Sequence, residues 1–192
     1  MTQEAAVAGS NNVVQFPLRR VLPEQVAKAF EGVPDVREIG NIAEAFQLEM
    51  PSQDLRDRVE ASVAEFVLHN VPPEKGARRE AALRDLLTTY TERAETAAEV
   101  ARDAWVTAEA AQEGVVLRQQ EQGTDAALEI LSQRANDLTE QAAHLTITAY
   151  GLSVERAAAA RVVSLAQRGE EWKPTSLREA EIAVFGLSVV EG

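Results

Sequence analysis

The sequence predicts an all-α protein: a long antiparallel helical hairpin, packed with short N-terminal helices into a bundle or a dimer. Two observations support this fold class. Positions 74–173 form a run of 100 residues without proline. Proline breaks helix interiors, so this stretch can form uninterrupted long helices. The whole chain has only 10 glycines and 7 prolines and is 5% aromatic, a composition that favours helices over a β-sandwich or barrel.

Alanine and leucine recur along the proline-free stretch at the alternating four- and three-residue spacing of a coiled coil. The first heptad series has only apolar members, which are Leu83, Leu87, Tyr90, Ala94, Ala97, Ala101, Ala104, Ala108, Ala111 and Val115. The second heptad series has one charged member, Arg156, among Leu128, Leu131, Ala135, Leu138, Ala142, Leu145, Ala149, Leu152, Ala159, Val163 and Ala166. Arg156 either fixes the register of the packed helices or marks where the series leaves its partner.

The two series are out of phase by one residue, and Gly114, Gly123 and Thr124 lie between them. Glycine commonly ends helices, and Thr or Asp commonly begins them. We therefore predict helices at 77–113 and 124–168, joined by a loop. The alternative is one helix of about 90 residues with a slip in its heptad register. The glycines at the slip favour the hairpin.

The alanines in the two series predict that the hairpin needs further cover. An alanine side chain buries little apolar area, and each Å² of buried apolar area stabilises the fold by only about 25 cal/mol. Two such helices alone would therefore be marginally stable. The additional cover would come from the N-terminal helices, in a bundle, or from a second copy of the chain, in a dimer.

The chain before the hairpin divides into an expected disordered tail at residues 1–16 and a region of short helices at 17–73. Six of the seven prolines fall in this second region and divide it into three helices. The first is predicted from Pro23 to Gly32. The second begins at Asp35, which has capping-box spacing to Glu38, and its apolar face comprises Val36, Ile39, Ile42, Ala43 and Phe46. The third begins near Ser52 and stops before Asn70, and its apolar face comprises Leu55, Val59, Val63, Phe66 and Val67.

After the hairpin region (74–170), residues 171–192 form a C-terminal apolar segment. Its last part contains the most apolar run in the chain. This run either closes the bundle as part of the core or forms an exposed anchor for a partner. The candidate partner-binding residues are Ile182, Val184, Phe185, Leu187 and Val189.

The residue patterns of known catalytic, cofactor and metal sites are missing. There is no cysteine, no glycine-rich phosphate loop and no complete nucleophile elbow. The two histidines follow glutamates by four residues, as Glu65–His69 and Glu140–His144, whereas a di-iron bundle uses Glu-x-x-His. These pairs, and the acidic stretch at 92–103, are typical of solvated helix surfaces. Trp105 is expected in the core. We predict no enzyme activity, no cofactor and no metal.

Charge and hydropathy restrict the partners further. The net charge of −12 disfavours binding to a phosphate backbone, so we expect no nucleic acid partner. No stretch approaches the roughly 20 apolar residues of a membrane helix, so we expect no integral membrane segment. The N-terminus also lacks the basic start and apolar run of a signal peptide. We therefore expect a cytoplasmic protein.

These observations predict a non-enzymatic structural or protein–protein interaction protein that acts through coiled-coil faces. It would bind itself, as a dimer or higher oligomer, and another protein. There are two alternatives. The chain resembles the granule-binding phasins in size, alanine content and helical character, which would imply an amphipathic protein that coats apolar surfaces. It also has the acidic, hairpin-like character of small export or assembly chaperones.

Overall fold

The computed structural model describes residues 35–52, 54–122 and 125–174. These ranges contain four α-helices and no strand: α1 (Val36–Ala45), α2 (Asp54–Asn70), α3 (Ala77–Gln122) and α4 (Ala126–Arg168). Helices α3 and α4 pack against each other as an antiparallel hairpin and are about 69 and 65 Å long at 1.5 Å per residue. The predicted all-α hairpin is confirmed, and the alternative of one continuous helix is wrong. The predicted tail at 1–16 and the helix at 23–32 lie outside the described residues.

The turn of the hairpin lies closer to its second helix than predicted. Helix α3 continues to Gln122, so the predicted end at residue 113 is wrong. Glycine costs about 1 kcal/mol inside a helix but does not break it, and α3 passes through Gly114 while Val115 remains half-buried. Helix α4 begins at Ala126, and Asp125 caps its N-terminus by accepting a hydrogen bond from the backbone N–H of Leu128 at 2.7 Å.

Gly114 offers a simple test of this boundary. Gly114→Ala should raise the free energy of unfolding by about 0.5–1 kcal/mol, because alanine is the better helix former and an added Cβ meets nothing within 4 Å. Gly169→Ala is the matched control. Gly169 ends α4 with φ at +79°, and alanine there should destabilise by about 1 kcal/mol. Urea denaturation followed by circular dichroism measures both; a loss of stability in Gly114→Ala would contradict the helical assignment.

Both heptad series face the hairpin interface. Every member of the first series is buried or half-buried. In the second series Ala135, Ala142 and Ala149 are fully buried, whereas Leu131 remains 40% exposed. Arg156, the charged member, is half-buried. Because alanine is small, the two backbones can approach closely along this interface, and larger side chains are displaced to its edges.

Helix α1 begins where the sequence predicted. The Asp35 carboxylate accepts hydrogen bonds from the backbone N–H groups of Arg37 and Glu38 at 3.1 and 3.2 Å. Of the predicted apolar face, Ile39, Ile42 and Ala43 are buried and Phe46 packs against the core. Val36 is exposed instead, because it lies in the first turn, before the helix reaches the hairpin.

Helix α2 packs against α4 with a stripe that is rotated relative to the predicted one. Val63 is buried, and Val59 and Val67 pack beside it, as expected. Phe66 is 45% exposed, contrary to prediction. The buried position on the other side of Val63 belongs to Glu60. Glu60 lies three residues before Val63 and Phe66 lies three residues after it, so the two side chains project from opposite edges of the face that Val63 occupies. They cannot both face α4 fully, and burial of Glu60 therefore turns Phe66 toward solvent.

Candidate functional site

Helices α1 and α2 cover different parts of the hairpin, and the part packed against α1 is here called the covered side. Near the middle of the hairpin, Ile42 of α1 packs with Trp105 of α3 and Ala143 of α4. Nearer the ends of the hairpin, Val63 of α2 packs with Val162 of α4. The short helices therefore supply cover that the alanine-rich interface requires, as the sequence predicted.

Trp105 is the central side chain of the covered side. It is 4% exposed and its ring meets that of Phe46 edge-on, with 6.2 Å between the ring centroids. Its indole Nε1 donates a 2.9 Å hydrogen bond to Oγ1 of Thr146, and that hydroxyl donates to the carbonyl of Ala142 at 2.9 Å. The polar atom of the tryptophan is therefore satisfied inside the core, and the expected core role of Trp105 is confirmed.

A charged cluster that the sequence analysis missed joins α2 to α4. The Glu60 carboxylate is fully buried and accepts hydrogen bonds from Arg161 at 2.9 and 3.0 Å and from Arg56 at 3.0 Å. Trp172, just after α4, donates its Nε1 hydrogen to the same carboxylate at 2.8 Å. The i,i+4 spacing of Arg56 and Glu60 was visible in the sequence. The partnership with Arg161, 101 positions away, was not.

The surroundings of Glu60 make it a structural carboxylate. Burial raises the pKa of Glu60. The hydrogen bonds from Trp172 and Arg56 and the charge of Arg161 together lower it by more, so the pKa lies below the ordinary value of 4.5. A general acid at neutral pH needs a raised pKa. At neutral pH Glu60 is instead an anion, and its hydrogen bonds link α2, α4 and the segment after α4.

This lowered pKa predicts a pH-dependent contribution to stability. Because the folded state holds Glu60 ionised more strongly than the unfolded chain does, its contribution is complete above about pH 4.5 and is lost as the pH falls through the folded-state pKa. The difference in unfolding free energy between the wild type and Glu60→Gln should therefore be constant from about pH 7 to 5 and shrink below that. Urea titrations at several pH values measure it. A difference that grows on acidification would contradict the assignment.

The side of the hairpin away from α1, here called the open side, has a leucine row along the edge of the α3–α4 interface. It comprises Leu131, Leu138, Leu145 and Leu152, which follow one another at intervals of seven residues on α4. The alanines between them are fully buried against α3, but none of the four leucines is. Leucine at a strict heptad interval is typical of a helix that packs against further helices.

A groove of about 460 Å³ lies beside the C-terminal half of this row, at Leu145 and Leu152. All of its lining residues belong to α3 and α4, and they are Thr89, Glu92, Arg93, Thr96, Ala97, Val100, Leu145, Thr148 and Leu152. Val100 and Trp105 are five positions apart on α3 and so point about 140° from each other. The groove and the covered side therefore lie on different sides of the hairpin.

Further apolar side chains are exposed near the tip of the hairpin. Leu117 on α3 and Ile130 on α4 are 59% and 71% exposed. The two helices are joined here by Gln112, whose amide donates to Asn136 at 3.3 Å, and by the Arg118–Asp125 ion pair at 3.1 Å. The apolar cover from α1 ends near Ala108 and Ala142, so among the described residues the tip consists of α3 and α4 alone.

The other polar candidates from the sequence are exposed in the described ranges. His144 lies 4.0 Å from Glu140 in an exposed pair, and His69 is exposed at the end of α2. The acidic residues Glu92, Glu95, Glu99 and Asp103 are exposed on α3. Residues 35–52, 54–122 and 125–174 contain no group of three His, Asp or Glu side chains arranged to hold a metal ion.

The predicted partner-binding residues Ile182, Val184, Phe185, Leu187 and Val189 lie outside the described residues. The open-side groove is therefore the candidate site that the structure itself provides. Sequence analysis identified its leucines, Leu145 and Leu152, and assigned them to the hairpin interface, where Leu145 also packs against the core. The signal that could have separated the leucines of the row from the alanines of the same heptad series was the seven-residue interval between the leucines, with one such alanine in each interval.

The fold defines this chain as an all-α protein built on a helical hairpin. No family model, no curated protein and no solved structure matches it. Among the described residues, none of the helices has the length and apolar character required to cross a membrane.

Proposed function

We propose that this chain is a non-enzymatic interaction protein whose binding element is the open side of its helical hairpin. One observation supports this proposal above the others: Leu145 and Leu152 are half-buried beside a groove that α3 and α4 alone line. A cytoplasmic location is part of the same proposal.

The chemistry of the groove suits an amphipathic helix as the ligand. It is lined by four apolar residues, three threonines and the charged residues Glu92 and Arg93. Apolar floors with polar rims are typical of helix-in-groove recognition, in which side chains one turn apart fill the groove. Arg93 and Glu155 bridge the two helices at 3.6 Å and mark one end of this surface.

The buried charges support an interaction role over catalysis. Within the described ranges, Glu60 is the one charged residue that is buried, and three donors hold it as an anion. The net charge of −12 also disfavours nucleic acid as the ligand. A protein surface is therefore the partner class that we propose.

The test compares two acidic substitutions on α3. Val100 lies in the groove and is 47% exposed; Val106 lies outside it and is 51% exposed. The full chain is immobilised, and proteins captured from the native extract are quantified and cross-linked. Val100→Glu should reduce capture of a helical partner at least tenfold, because it places a charge in an apolar groove, whereas Val106→Glu should leave capture unchanged.

Two results would contradict the proposal. Equal capture by both variants and the wild type would move binding away from the groove. Equal binding of all three chains to polyester or lipid droplets, without a protein partner, would instead favour the phasin-like, surface-coating alternative. Circular dichroism of both variants establishes that they remain folded.

A further inference from the structure

We propose that the segment after α4 is a strap that holds α2 on the hairpin, so that the strap and α2 open together while the hairpin and α1 stay folded. The strap comprises residues 169–174, and Trp172 attaches it to α2. This device lies at the α2 end of the molecule and is independent of the open-side groove.

The path of the strap brings Trp172 back along α4. Gly169 ends the helix with φ at +79°, and its backbone N–H donates to the carbonyl of Ala166 at 3.1 Å. Helix α4 continues for seven residues beyond Arg161, which is about 10 Å. The three residues after Gly169 span about the same length when extended. The chain therefore reverses and returns Trp172 to the level of Arg161, where both side chains reach Glu60.

Helix α2 has few buried side chains of its own. Of its 17 residues only Glu60 and Val63 are buried, whereas the 10 residues of α1 include three buried apolar ones. Val63 packs with Val162 of α4, and Val71, just after α2, packs with Leu83 of α3. Segments with few buried apolar contacts open at a lower free energy than the core of a domain. The attachment of α2 therefore depends strongly on the cluster around Glu60.

Trp172 contributes to both parts of this attachment. Its Nε1 donates a 2.8 Å hydrogen bond to the Glu60 carboxylate, and its ring packs against the cluster that contains Val63 and Val162. Trp172 is half-buried, although residues 167–171 and 173 around it are exposed. Release of this one side chain would remove a donor from a buried anion and uncover the apolar stripe of α2. Opening of the strap therefore favours opening of α2, and the reverse also holds.

Hydrogen–deuterium exchange of the full chain, followed by mass spectrometry, tests the strap with the variant Trp172→Phe. Phenylalanine keeps an aromatic ring but removes the N–H donor. The amides of α2 should exchange about tenfold to a hundredfold faster, as expected for loss of a hydrogen bond to a charged group. The amides of α1, and those of α3 and α4 near Ala108 and Ala142, should change by less than about twofold.

Trp105→Phe is the matched control. Trp105 also donates its Nε1 hydrogen, at 2.9 Å, but to Thr146 and beside α1. This variant should accelerate exchange in α1 more than in α2.

Two results of the exchange measurement would overturn the proposal. Unchanged exchange of α2 in Trp172→Phe would mean that the strap does not hold this helix. Equal acceleration of α1, α2 and the hairpin in Trp172→Phe would mean that the chain opens only as a whole, without a separate unit. Faster exchange confined to α2 and the strap is the expected result.

Discussion

Replacement of Trp105 by alanine is expected to lower the free energy of unfolding by about 3–5 kcal/mol, as large-to-small substitutions of buried aromatic residues do. Trp105 is 4% exposed and fills the space between α1 and the hairpin. Its neighbours across the interface are alanines, which cannot extend into the space left by the indole. Loss of the ring also removes the edge-on contact with Phe46 and leaves α1 weakly attached.

Urea denaturation followed by circular dichroism measures this effect, and Val106→Ala provides the control. Val106 is the next residue of α3 but is exposed, so its truncation should change stability by no more than about 0.5 kcal/mol. A second variant, Thr146→Val, keeps the ring but removes the acceptor of its 2.9 Å hydrogen bond, and should cost about 1–3 kcal/mol. Similar stability of Trp105→Ala and Val106→Ala would show that the covered side does not hold the bundle together.

Replacement of Arg161 by methionine is expected to cost about 2–3 kcal/mol. Breaking a buried ion pair by removing one partner commonly costs about 3–5 kcal/mol, because the remaining charge stays desolvated. Glu60 retains Arg56 and Trp172 as hydrogen-bond donors, so the loss here should be smaller. Methionine preserves much of the apolar length of the arginine side chain and isolates the effect of its charge.

Arg168→Met is the matched control on the same helix. Arg168 pairs with Glu170 at 2.9 Å, but both side chains are more than half exposed, so this pair should contribute less than about 1 kcal/mol. The two variants are compared by urea denaturation at neutral pH. Equal losses would show that burial does not set the strength of the Glu60–Arg161 pair. A stable Arg161→Met would show that Arg56 and Trp172 suffice to hold Glu60.

The candidate site was only partly predictable. The leucines of the row were identified by their heptad spacing, but the groove depends on where along the hairpin α1 and α2 pack. The side chains of Val100 and Val106 are chemically identical and lie on one helix; only the arrangement of the helices places the first in the groove and the second outside it. Glu60 was missed for a related reason, since its main partner lies 101 positions away.

The sequence by itself determined the helical class, the hairpin and the cap at Asp35, because these depend on local preferences: proline positions, heptad spacing and the capping ability of short polar side chains. The tertiary structure decided the rest. In this structure α3 continues through Gly114, Phe66 is exposed while Glu60 is buried, and part of the leucine row lies at the edge of a groove. Each of these outcomes depends on contacts between helices distant in sequence, whose free energies outweigh local preferences of about 1 kcal/mol.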